Sequence, residues 1–168
     1  SYPQDWKPLV YCWRGGNRSG AMALIFARIG WPVAQLDGGY KAYRNHVNAE
    51  LAVLPQKFNF NVLCGPTGSG KSRLLQVLES QGAQVLDLEK LAAHRGSVLG
   101  DLPAAPQPSQ KRFESLLWEL LSKFDPARPV FVEAESKKVG KLRVPDALME
   151  KMRASPCTVP SKRRTASQ

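Results

Sequence analysis

Leu9-Val10-Tyr11 is a short apolar run that halts at Cys12-Trp13-Arg14-Gly15-Gly16-Asn17-Arg18-Ser19. Beyond it, Ala21, Met22, Leu24, Ile25, Phe26 and Ile29 recur with helical spacing, and the spacing predicts a largely buried helix ending at Gly30. Val33 to Leu36 predicts a second short strand, a Gly38-Gly39 turn follows, and residues 40–51 carry Tyr40, Tyr43 and Val47 on one helical side. The first fifty residues therefore read strand, loop, helix, strand, helix, which is an α/β pattern. Residues 52–57 look like a connector. Phe58 to Cys64 alternates as a strand, and the segment that follows Gly65–Ser72 carries Leu74, Leu75, Val77 and Leu78 on a helix. Gln84 to Leu88 predicts another strand, residues 89–94 a short helix, and residues 95–109, with three prolines and two glycines, a long loop. The clearest helix starts at a Ser109 cap, with Phe113, Leu116, Leu117, Leu120, Leu121 and Phe124 at amphipathic spacing. Asp125-Pro126 ends it, and Val130-Phe131-Val132 predicts a further strand leading into Glu133-Ala134-Glu135. The stretch 154–168 is basic and rich in Ser, Pro and Thr, and is expected to be disordered.

Composition narrows the class. The 168 residues are 43% hydrophobic, enough for a core and too much for a wholly disordered chain. No apolar run reaches the length of a membrane span, and no secretory signal is visible at residues 1–13. Three cysteines without a CxxC pair argue against a disulfide framework or a Cys-rich zinc site, and for a reducing, cytoplasmic setting. Cys64 reads as a buried structural thiol, and His46 and His94 as isolated. Lys and Arg total 24 against 14 for Asp and Glu, a formal charge of +10, which points first to a nucleic-acid partner. Residues 101–150 balance eight basic against eight acidic side chains, whereas 151–168 hold five basic and no acidic ones.

Two motifs carry chemistry. Gly65-Pro66-Thr67-Gly68-Ser69-Gly70-Lys71-Ser72 fits G-x-x-x-x-G-K-S between a strand and a helix. Its glycines let successive N–H groups point at a phosphate, the helix adds its positive end, Lys71 neutralises outer phosphates and Ser72 offers a hydroxyl to Mg²⁺. The phosphate-binding set is thus Gly65, Thr67, Gly68, Ser69, Gly70, Lys71 and Ser72. ATP, GTP and any other diphosphate-bearing ligand present the same oxygens. Glu133 at a strand end is the metal candidate beside Ser72, with Glu135 in reserve. In the other motif, Cys12 sits where a strand meets a glycine-rich loop and a helix start. Backbone N–H groups, Arg14 and Arg18 are expected to favour its thiolate, which suits sulfur or selenium transfer and equally a phosphatase-type attack.

The stretch PLVYCWRGGNRSG resembles the active-site loop of rhodanese domains, the sulfurtransferase fold. Together with GPTGSGKS some fifty residues later, it resembles the tRNA 2-selenouridine synthase family, which joins a rhodanese domain to a P-loop domain. LDGGYKAYR at 36–44, Asp87-Leu88-Glu89 with His94-Arg95-Gly96-Ser97, and EAESKKVG at 133–140 extend the resemblance over roughly residues 8–153. The resemblance implies an α/β chain with the C-terminal half of a rhodanese-like domain (1–51), a linker (52–57) and a P-loop NTPase-like parallel-sheet domain (58–153), both domains incomplete. It implies a tRNA-modifying transferase that replaces sulfur by selenium in wobble 2-thiouridine through a geranylated intermediate. Selenophosphate and geranyl diphosphate are the implied co-substrates, with Mg²⁺ or a nucleotide at the P-loop, and tRNA is the implied partner, with no membrane and no protein partner. On this reading Cys12 carries the selenium, Arg14 and Arg18 hold selenophosphate, and the P-loop grips the prenyl diphosphate. The alternatives are a P-loop kinase or NTPase with a vestigial rhodanese segment, and an inactive RNA-binding fragment relying on the basic tail.

Overall fold

The computed structural model describes residues 3, 5–93, 106–134 and 136–159, and the chain divides into two compact units, 1–49 and 50–168. In the first unit, β1 (Leu9–Val10) and β2 (Ala34–Gln35) pair in parallel, with Leu9 opposite Ala34 and Val10 opposite Gln35. Helix α1 (Asn17–Ile29) connects them, closed by Gly30, and α2 (Gly39–Val53) begins directly after the Gly38 turn. Trp6, Phe26 and Trp31 form an edge-to-face cluster, with Trp6 and Trp31 centroids 5.1 Å apart.

The expected burial of α1 does not hold. Leu24, Ile25 and Ile29 are each more than half exposed, and Ser19 is the buried residue of the helix. A helix with apolar residues around most of its circumference needs cover on several sides. Two strands of two residues each cannot supply it.

The second unit holds the core. Its sheet is wholly parallel in the order β4-β5-β3-β8, built from β3 (Phe60–Leu63), β4 (Gln84–Leu86), β5 (Val130–Glu133) and β8 (Cys157–Thr158). Helix α3 (Lys71–Ser80) follows β3, and Leu75 packs with Leu63 and Val85. Short α4 (Leu88–Leu91) is capped by Asp87, whose carboxylate accepts from the Lys90 N–H at 2.9 Å. The Ser109 cap is as read: its hydroxyl accepts from the Arg112 N–H at 3.2 Å and opens α5 (Gln110–Lys123), which buries Phe113, Leu117 and Leu121 completely. Each such side chain contributes about 1.5–3 kcal/mol by leaving water. A hairpin, β6 (Lys138–Val139) with β7 (Leu142–Arg143), and helix α6 (Asp146–Arg153) complete the unit.

Three readings need correction. Residues 52–57 are no loose linker: α2 runs to Val53 and a 3₁₀ turn covers Leu54–Lys57, burying Leu54 and Pro55. Apolar side chains there find a core to enter, so the chain stays helical. The segment 154–168 is not disordered throughout, because Cys157 and Thr158 add the strand beside β3, opposite Val62 and Leu63; residues 160–168 lie outside the described residues. That pairing also brings Cys64 and Cys157 together as a disulfide with a Cα–Cα distance of 5.8 Å, where separate thiols were expected. Nothing in the spacing announces it, since 93 residues separate the two and only sheet register makes them neighbours.

Candidate functional site

Cys12 leaves β1 at the mouth of the Gly-rich loop, and that loop is held from below by α2. The Tyr40 N–H donates to the Cys12 carbonyl at 2.9 Å and the Lys41 N–H to the Trp13 carbonyl at 3.0 Å. This close approach requires Gly39, whose φ is +64° and whose absent Cβ would collide with the Cys12 carbonyl oxygen. The thiol faces an open cleft of about 550 Å³ lined by Tyr11, Trp13, Arg18, Ser19 and Met22 among others. Tyr40 stacks on Tyr11 and tilts against Trp13, giving the cleft an aromatic wall.

The Cys12 thiol is held below its ordinary value, chiefly by the hydrogen bond that the Ser19 hydroxyl donates to Sγ at 3.5 Å. Partial burial opposes this lowering, and backbone N–H groups of Ser19, Gly16 and Arg14 reinforce it. The Arg14 and Arg18 guanidiniums, expected to favour the thiolate, are not among the causes; Arg14 is exposed and Arg18 lines the cleft. Two residues were not assigned in advance. Ser19 was visible inside the motif without a stated role. Gln35 carried no sequence signal, since it reaches the loop through the β1–β2 register. Its Nε2 donates to the Gly16 carbonyl at 2.8 Å and to Ser19 Oγ at 2.9 Å. Ser19 Oγ also lies within donating distance of the Gly16 carbonyl, at 3.1 Å, so its single proton is shared between that carbonyl and Cys12 Sγ.

In the second unit, the loop 65–70 follows β3 and ends at Gly70, a left-handed cap for α3. Lys71 is buried, and its Nζ donates to the Gly65 carbonyl at 2.9 Å and the Pro66 carbonyl at 3.1 Å. It also pairs with Glu133 Oε1 at 3.3 Å. Ser72 Oγ donates to Glu133 Oε2 at 3.0 Å. The β3–β5 pairing, Leu63 opposite Glu133, brings the carboxylate to this edge. Thr67, Gly68 and Gly65 are exposed along the rim, while Ser69 Oγ is buried with no hydrogen-bond partner among the described residues. An orphaned hydroxyl, a buried lysine and a paired hydroxyl and carboxylate suit a phosphate chain with a hard cation. Among the described residues no group of three or more His, Cys, Asp or Glu stands ready to hold a metal alone, so ligand oxygens would complete the sphere. Glu135 and His94 lie outside the described residues.

The family described as the tRNA 2-selenouridine synthase AAA domain matches residues 58–164. The chain belongs to the tRNA 2-selenouridine synthase family. That match runs beyond Arg153, so the resemblance continues into the basic segment that had been set outside it. A tRNA 2-selenouridine synthase of Nitrosomonas europaea is 38% identical over 152 residues, covering 89% of this chain and 39% of the relative. Proteins of the same name from a Sulfurovum species and from Alcanivorax borkumensis are 39% and 38% identical, covering 90% and 88% of this chain and 41% and 40% of theirs. These synthase matches reach well into the first unit. The chain spans about two-fifths of the length of the curated synthases it matches. No solved structure matches it significantly. No helix among the described residues is long and apolar enough to cross a membrane.

Proposed function

We propose that this chain carries the two chemical sites of a tRNA-modifying transferase that replaces sulfur by selenium in wobble 2-thiouridine. The first unit is then the C-terminal half of a rhodanese-like domain, with Cys12 as the selenium carrier and Arg14 and Arg18 holding anionic selenophosphate. The second unit grips the diphosphate of geranyl diphosphate through Lys71 and the loop N–H groups, and Ser72 and Glu133 would hold a Mg²⁺ ion that would offset the charge of the diphosphate. Geranylation makes sulfur a leaving group: the thiocarbonyl sulfur displaces diphosphate from the geranyl carbon. The nucleophilic selenium that selenophosphate brings to the Cys12 loop then adds to the ring carbon and expels the geranyl thiolate. Water takes the phosphoryl group from selenium as phosphate, so that selenium does not change oxidation state. A tRNA substrate fits the excess of basic residues.

The observation that carries this reading is the Lys71–Glu133–Ser72 cluster in a chain of this family, beside an orphaned Ser69 hydroxyl and with no need of nucleotide hydrolysis in the reaction. Mass spectrometry of nucleosides from 2-thiouridine tRNA, incubated with the chain, selenophosphate, geranyl diphosphate and Mg²⁺, tests it. Lys71→Ala should abolish geranylation, and Cys12→Ala should abolish selenouridine while leaving geranylation. Unchanged geranylation in Lys71→Ala overturns the P-loop assignment. Nucleotide turnover lost in Lys71→Ala but indifferent to Cys12 would instead mark an NTPase.

A further inference from the structure

The near-neutral stretch 101–150 is neutral only on average. Of its eight basic side chains, six fall in two short segments: Lys111 and Arg112, then Lys137, Lys138, Lys141 and Arg143. The fold brings the two segments together. Gln110 clamps β7 with a reciprocal pair, its Nε2 donating to the Arg143 carbonyl at 2.8 Å and its Oε1 accepting from the Arg143 N–H at 2.9 Å. Gln107 does the same for the turn, donating to the Val139 carbonyl at 3.1 Å and accepting from the Lys141 N–H at 2.8 Å. All six basic residues are exposed.

The arrangement is costly for the isolated protein. In the hairpin, Val139 and Leu142 pair on the buried face, which places Lys138 directly opposite Arg143 on the solvent face. Like charges so placed repel. Lys111 and Arg112 stand in the first turn of α5, where the helix end is already positive and the turn itself holds no acidic residue. Among the described residues, acidic neighbours include Asp146, which pairs with Arg143 at 3.3 Å, Glu114, which accepts from Gln110, and Glu119, whose carboxyl is held below its ordinary value chiefly by Lys123 and in part by Arg112. They leave a basic excess on a rigid platform.

We propose that the solvent face of the β6–β7 hairpin, with the first turn of α5, is the surface on which this chain docks the phosphate backbone of its RNA. The inference rests on the tRNA reading above and gives that substrate a place. Among the described residues, none of the large exposed hydrophobics lies on this face, so an RNA backbone fits it better than a lipid surface, which calls for an apolar anchor. The position also suits the chemistry. Strands β3 and β5 run parallel, so the phosphate-binding loop and the segment entering the hairpin leave the same edge of the sheet, Glu133 preceding Lys138 by only five residues. RNA held on the hairpin lies at the edge where the diphosphate site opens.

Fluorescence anisotropy of a labelled tRNA transcript with the 168-residue chain, over a series of NaCl concentrations, tests the proposal. Each lost phosphate contact lowers the slope of log affinity against log salt by about one. The double variant Lys138→Gln/Lys141→Gln should bind about tenfold more weakly at low salt, with a slope smaller by about two. Lys7→Gln/Lys57→Gln removes the same charge elsewhere and should stay within about twofold of the parent. Unchanged pyrophosphate binding and an unchanged thermal transition establish that the hairpin variant is folded. Equal losses in both double variants, or no loss in the hairpin variant while the parent binds, would overturn the surface and leave the tRNA reading standing. A parent chain that binds no RNA overturns both. Phosphatidylserine vesicles captured through Lys138 and Lys141 in place of RNA would assign the face to a membrane.

Discussion

Ser72 Oγ donates to Glu133 Oε2 across 3.0 Å, joining the start of α3 to the end of β5 over 61 positions of sequence. The other oxygen of the same carboxylate faces Lys71 Nζ at 3.3 Å. One carboxylate thus restrains both the ammonium of Lys71 and the hydroxyl of Ser72. Glu133→Gln keeps an acceptor for Ser72 and removes the charge. Calorimetric titration with pyrophosphate should then show loss of the Mg²⁺-dependent gain in affinity, with the Mg²⁺-free affinity held or increased as Lys71 is released. Ser72→Ala should lose the same gain, and Lys71→Ala should lose the Mg²⁺-free affinity. A Glu133→Gln chain that keeps its full response to Mg²⁺ would remove the carboxylate from the metal site.

The Ser19 hydroxyl stabilises negative charge on Cys12 and so favours the thiolate. Alkylation of Cys12 by iodoacetamide across pH should therefore show a midpoint below that of an ordinary thiol. Ser19→Ala removes the largest lowering cause and should move the midpoint up. Gln35→Ala should move it the same way by less, since the Gly16 carbonyl, already 3.1 Å from Ser19 Oγ, then competes more strongly for the Ser19 proton. The linkage has a fixed sign. A thiol depressed by folding adds stability above its unfolded value, and that contribution is lost as pH falls through the folded midpoint. A midpoint that does not respond to Ser19→Ala would leave the backbone N–H groups as the cause.

The two units should differ in local stability. The buried hydrophobic side chains of the described residues begin at Val47, whereas Leu24, Ile25 and Ile29 of α1 meet solvent. Backbone hydrogen bonds over a thin core open easily. Hydrogen exchange should show amides of residues 9–36 near the unprotected limit while those of β3 and β5 exchange only on global unfolding. Equal protection in the two units would show that the α1 face is covered in solution.

What the sequence made legible was local. Ser109 caps its helix because a hydroxyl before an amphipathic run satisfies an orphan N–H wherever the helix packs. The loop 65–72 was readable because its glycines, Lys71 and Ser72 are contiguous. Glu133 lies beside Ser72 because a parallel strand ends where its neighbour ends. The misses are long-range. The β8 pairing, the Cys64–Cys157 link and the Gln35 bridge depend on register between distant segments, which composition and spacing do not encode. The exposure of α1 was missed for the opposite reason: its helical pattern is strong, and a pattern says that a face is apolar without saying what covers it.

Gly39 offers the sharpest separation of the two sites. Its φ of +64° already disfavours any other residue, by about 1–2 kcal/mol for alanine. A Cβ there would meet the Cys12 carbonyl and stand 3.1 Å from the Trp13 carbonyl oxygen, which is backbone and cannot swing aside. Gly39→Ala must therefore push the Cys12 loop off the start of α2, weakening the hydrogen bonds from Tyr40 and Lys41. Once the loop shifts, Ser19 and Cys12 lose their register, and the alkylation midpoint should rise toward that of an ordinary thiol. Pyrophosphate binding at Lys71 should be unchanged, because the phosphate-binding loop is built entirely within the other unit. An alkylation profile identical to the parent would mean that the loop holds Cys12 without support from α2.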